Sequence, residues 1–124
     1  MSGRRYLGQR FRGDTNLIRM AEQLRHAVDD VAQVSSADGL ESDRQLLNSM
    51  AMEMLQAQGS ARRLSDEYVA SMPKVPWREL RGLHNIIVRQ YDEIEVETLY
   101  ESVAVDAKRL LELLRPYLEN IKDG

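Results

Sequence analysis

The sequence predicts an all-α domain, an up-and-down four-helix bundle with a short extra turn at its C-terminus. Apolar residues recur at intervals of three and four along four separate stretches, which is the period of one helical face. No stretch alternates with a period of two for long enough to make a strand. The links marked by Gly, Ser, Asp and Pro are short, which favours antiparallel neighbours.

The first 13 residues hold Arg4, Arg5, Arg10 and Arg12, three glycines and no acid. They read as a basic N-terminal arm over residues 1–13, loosely ordered or forming one short turn, ahead of a single helical domain over residues 14–124. The first long helix is expected from Asp14, a suitable N-cap, to about Val34, with Leu17, Ala21, Leu24, Val28 and Val31 on one face. Ser35, Ser36, Asp38 and Gly39 break it. A second helix is expected from about Ser42 to about Met72. Leu47, Met50, Met54, Ala61, Leu64 and Tyr68 face inward, and Gly59 is a weak point or kink. Met50, Met52, Met54 and Leu55 suit core packing, with an adaptable binding surface as the alternative.

Pro73 and Pro76 bracket a short link, and Pro76 suits the start of a third helix from Trp77 to about Tyr91. Asp92, Glu93 and Ile94 lead into a fourth helix, about Glu97 to Arg115, with Leu99, Val103, Ala107, Leu110 and Leu114 inward. Pro116 is expected to end or kink it, leaving Tyr117 to Ile121 as the last turn.

The 124 residues suffice for one core without covalent staples. Apolar residues make up 43% and charged residues 30%, as in ordinary soluble domains. The chain has no Cys, which removes disulfides, thiolate metal sites and cysteine nucleophiles and suits a reducing cytoplasm. No apolar run approaches the roughly 20 residues that span a bilayer, and no signal-peptide hydrophobic region opens the chain, so a cytoplasmic protein is expected. A net charge of −3 argues against a uniformly basic nucleic-acid binder but leaves room for a local basic patch. His26 sits at helical spacing from Glu22, Asp29 and Asp30. With no second His or Cys beside it, a solvated face with local ion pairs outweighs a metal site.

The informative segment is Val75 to Tyr100, VPWRELRGLHNIIVRQYDEIEVETLY. Pro76, Trp77, Arg78 and Glu79 open it. Gly82, Leu83, Asn85, Ile86, Ile87, Val88 and Tyr91 follow in one register, and Ala61-Arg62-Arg63-Leu64-Ser65 lies upstream. This pattern resembles the signature of HepT-type toxins in the HEPN superfamily, and the likeness extends over nearly the whole chain after residue 14. Two positions depart from it. His84 stands where the family carries Arg, and Arg89 stands where it carries His, so the pair is present in exchanged order. Gln58-Gly59-Ser60 replaces the usual Gly-Glu, which removes a polar support group.

The resemblance implies a metal-independent endoribonuclease with no cofactor, homodimeric, paired with an MNT-type nucleotidyltransferase antitoxin. The ribose 2′-hydroxyl would attack the adjacent phosphate. Such a reaction wants a group titrating near neutral pH and a fixed cation on the phosphorane oxygens. By residue type His84 and Arg89 supply them. Asn85, Arg78 and Arg81 would support the site, and Arg78 with His84 forms a second Arg–His spacing. Tyr91 would be the tyrosine that the antitoxin adenylylates. The arginines of the arm would contact RNA, or else form a solvated tail.

Plain alternatives stand beside these roles. They are a boundary histidine at 84, a solvated arginine at 89, a core-edge aromatic at 91 and a local backbone cap at 85. Helical geometry adds a constraint, because five positions set Arg89 roughly 140° around from His84. Leu80, Leu83 and Ile87 define the inner face, and Ile86-Ile87-Val88 makes this helix apolar around more than half its circumference. A two-fold dimer through this helix would gather both groups near the axis. The acids Asp92, Glu93, Glu95, Glu97 and Glu101 suit a solvated link and a helix N-terminus. They could also face a basic antitoxin surface.

Overall fold

The computed structural model describes the backbone of residues 2–78 and 95–123 and the side chains of residues 11–78 and 95–121. Helix α1 spans Ser2–Val31, a rod about 45 Å long at 1.5 Å per residue. It begins 12 residues before the expected start, so Asp14 lies inside the helix and caps nothing. Arginine is a good helix former, which offsets the glycines of this stretch. Leu17, Met20, Ala21, Leu24, Ala27 and Val31 form its buried stripe.

The breaker cluster is itself one helical turn, α2 (Ala37–Glu41). Ser36 caps it, its Oγ accepting from the Gly39 amide at 3.2 Å. Leu40 plugs the core beneath it with no exposed surface. Helix α3 (Arg44–Arg62) starts on Asp43, whose carboxylate accepts from the Leu46 amide at 3.1 Å. The expected single helix to Met72 is two. The chain breaks after Arg62, not at Gly59, and α4 (Asp66–Ala70) restarts on Ser65, which accepts from the Tyr68 amide at 3.1 Å. A serine side chain that satisfies an otherwise orphan amide favours a helix start over a helix interior. The methionines divide as their spacing requires: Met50 and Met54 are core, whereas Met52 is exposed.

Beyond α4 the link is pinned by Met72, Val75 and Trp77, all buried, and the Trp77 indole donates to the Met72 carbonyl at 3.2 Å. A helical turn opens at Trp77 and Arg78. The last rod comprises α5 (Val96–Glu101), a π segment (Ser102–Ala107) and α6 (Lys108–Asp123). Leu99, Val103, Ala107, Leu110 and Leu114 are buried along it, the inward set expected. The C-terminus corrects the expected separate turn, since α6 runs straight through Pro116. A helix-interior proline costs about 3 kcal/mol. Buried Leu114 and the partly buried Tyr117, Leu118 and Ile121 packed on the core oppose that cost.

Helix α1 is the centre of the assembly, with α3 on one flank and the π segment and α6 on another. Tyr68 of α4 reaches back to Asp14, so α1 and α3 run antiparallel. Helix α5 packs on α2, which sets the start of the last rod at that same turn end. Arg78 and Glu95 therefore lie at opposite ends, as an up-and-down order requires. Among the described residues every regular element is helical, and there is no strand.

Candidate functional site

Of the residues singled out for the cleavage site, only Arg78 is described, and it is exposed at the first turn after buried Trp77. His84, Asn85, Arg81, Arg89 and Tyr91 lie outside the described residues, as does the helix proposed to form a dimer interface. What is described is the frame on either side: the motif opens at the α4 end of the bundle and closes at the α2 end.

Those two ends differ in charge. Residues 1–14 and 62–78 carry eight basic and three acidic residues. Among them Arg12, Arg62, Arg63, Lys74 and Arg78 are exposed. One of the three acids is turned inward, since half-buried Asp14 accepts from the Tyr68 hydroxyl at 2.6 Å. Beside it, Gly13 lies against the Tyr68 ring, so closely that a Cβ there would collide with Cδ2 and stand 2.6 Å from Cε2. Phe11, one residue before Arg12, is 73% exposed. The sequence reading missed it, although a lone aromatic between Arg10 and Arg12 was a signal. At the other end, residues 29–53 and 95–101 carry nine acids against Arg44 alone.

Near that acidic end, Glu53 of α3 meets the α1 carboxylates. Its pKa is pushed up to about 8, first by burial, then by a hydrogen bond with Asp30 and by the charges of Asp30 and Asp29. Glu53 is thus protonated at neutral pH. Its Oε2 is buried without a hydrogen-bond partner among the described residues. The sequence reading paired Asp29 and Asp30 with His26, which is exposed. Among the described residues no group of His, Asp and Glu could hold a metal ion. No described helix is long and apolar enough to cross a membrane.

The Gln58-Gly59-Ser60 departure has a definite outcome. Gln58 is 1% exposed, and neither its Oε1 nor its Nε2 has a hydrogen-bond partner among the described residues. Polar side chains do occupy this stretch of α3, since Gln58 and Ser60 are both buried there. The Arg62-Arg63-Leu64-Ser65 run closes α3, with Leu64 buried, Ser65 capping α4 and both arginines exposed.

No curated protein and no solved structure matches the chain. A family model does: Ribonuclease HepT-like, over residues 20–117. That span takes in α1 from its core stripe onward, the whole motif segment and the last rod as far as Tyr117. The chain belongs to the HepT-like ribonuclease family.

Proposed function

We propose that the protein is a metal-independent endoribonuclease that acts as a homodimer and as the toxin of a pair with an MNT-type nucleotidyltransferase antitoxin. The observation that carries this reading is the family match across residues 20–117, which includes both His84 and Arg89. In the reaction, the 2′-oxygen bonds to phosphorus and the bond from phosphorus to the 5′-oxygen breaks. The 2′-hydroxyl proton is taken up and the 5′-oxygen is protonated as it leaves. The products end in a 2′,3′-cyclic phosphate and a 5′-hydroxyl. His84 serves as the proton-transfer group, and Arg89 neutralises the phosphorane oxygens with its forked donors. Asn85, Arg78 and Arg81 orient the strand and the histidine. Tyr91 is the residue through which the antitoxin silences the site by adenylylation.

The exchanged order of His84 and Arg89 favours a second reading, a degenerate module that binds its partner or RNA without cutting. One assay separates the two. Purified protein is incubated with RNA in excess chelator and the products are tested for cyclic-phosphate ends. The nuclease reading expects cleavage that falls about 10²-fold or more in His84→Ala and in Arg89→Ala. Intact RNA, together with firm binding to a co-expressed nucleotidyltransferase, supports the degenerate module. The double exchange His84→Arg with Arg89→His measures what the native order costs: a large gain in cutting would show that it is impaired.

A further inference from the structure

An overall charge of −3 hides a strong polarity, with the basic residues gathered where α1 begins, α3 ends and the link to Trp77 runs. The tie between Tyr68 and Asp14 and the close approach of the Tyr68 ring to Gly13 fix these three segments at one end. Exposed cations thereby come from separate parts of the chain: Arg12 on α1, Arg62 and Arg63 at the end of α3, Lys74 and Arg78 beyond α4. Arg4, Arg5 and Arg10 are on the first turns of the same α1 rod. The exposed acids there are Asp66 and Glu67, in the first turn of α4. The last turns of α6 add Arg115 and Lys122 together with Glu119 and Asp123, which balance.

Cations on such an end would attract any polyanion. Phe11 narrows the choice. It is the chain's only phenylalanine, 73% exposed in the helix between Arg10 and Arg12. An apolar ring with that exposure gains nothing from the core. A flat π-face among arginines is the pairing that holds unpaired bases, by stacking on the ring while the cations meet the phosphates. A duplex hides its base faces, and a folded protein surface offers few such planes.

We propose that this end of the molecule is a seat for single-stranded RNA, with Phe11 as a stacking platform and Arg12, Arg62, Arg63, Lys74 and Arg78 as phosphate contacts. The seat holds the strand, and of its residues Arg78 alone also belongs to the cleavage site proposed above. The assignment to RNA rests on the ribonuclease reading, but its test does not need cleavage. The probe is a fluorescent single-stranded oligoribonucleotide with a 2′-O-methyl group on every ribose, which lacks the attacking hydroxyl. Affinity is read by anisotropy at several salt concentrations for the full chain.

Reversing Arg62 and Arg63 together, Arg62→Glu with Arg63→Glu, should weaken binding at least tenfold. It should also flatten the slope of log affinity against log salt by about 1.4, the value for two lost single-strand phosphate contacts. Phe11→Ala should weaken binding about tenfold or more with the salt slope unchanged, because stacking releases no counterions. All three residues are exposed, and unaltered thermal melts would show the variants folded. Equal affinity in the native chain and both variants would overturn the seat. So would RNA binding that persists in variants that no longer hold a co-expressed nucleotidyltransferase, which would assign this end to a protein partner. Failure of the chelator assay with retained, variant-sensitive binding would overturn only the nuclease reading.

Discussion

The two ends of the bundle are closed by different physics. At the α2 end each tie spans three residues: Ser36 accepts from the Gly39 amide, Asp43 accepts from the Leu46 amide, and the Thr98 hydroxyl donates to the Glu95 carboxylate. At the opposite end Ser65 caps α4 in the same local way, and a further hydrogen bond joins Tyr68 to Asp14, 54 positions apart, beside a glycine against which an aromatic ring packs. The first end is acidic and locally determined. The second is basic and assembled from distant segments. What the contrast teaches is that a surface made from remote pieces can gather like charge, since no helix has to tolerate all of it.

The contrast can be broken most severely at residue 13. Gly13→Ala puts a methyl group into the Tyr68 ring. Overpacking of this kind costs about 1–3 kcal/mol, against which the helix propensity of alanine returns up to about 1 kcal/mol. Chemical denaturation should therefore show a net loss. The 62–78 segment should become more open to proteolysis than the α2 turn.

The acidic end can be probed by pH. Glu53 holds a proton in the folded protein up to about pH 8, whereas its ordinary value is 4.5. Stability from that proton is complete below about 4.5 and is lost as pH rises through 8. The melting temperature should fall across this window, and Glu53→Gln should flatten the decline and exceed the native chain at pH 9. A native profile that stays level from pH 5 to 9 would refute the assignment.

The smallest effects compare single ties. Asp43→Ala removes a cap, at about 1 kcal/mol, and Tyr68→Phe removes one long-range hydrogen bond, at about 1 kcal/mol. The losses should be similar in size but different in place. Amide exchange should speed up around Leu46 in the first variant and around Gly13 in the second.

The inward residues of the last rod were legible because a 3.6-residue period survives even a π segment, and Leu99 through Leu114 lie where the spacing put them. Met20 and Ala27 escaped notice on α1, although both are fully buried beside the stripe that was read. The start of α1 differs from the expectation because glycine and arginine runs resemble a tail, whereas the helix runs through them from Ser2. Helix continuation through Pro116 was illegible for a related reason, since the packing of Tyr117, Leu118 and Ile121 on the core is a tertiary term. As for the site, the motif that names the family could be read in order along the chain. Phe11 between Arg10 and Arg12 was legible too, but the gathering of Arg12 with Arg62, Arg63, Lys74 and Arg78 was not, because it depends on a contact spanning 54 residues.

The Gln58 side chain, sealed from water with oxygen and nitrogen both unsatisfied among the described residues, carries a desolvation penalty of about 1–3 kcal/mol. Folded domains typically stand only about 5–15 kcal/mol above their unfolded chains. An apolar side chain of similar size would spare the molecule that penalty, a sizeable share of so narrow a margin.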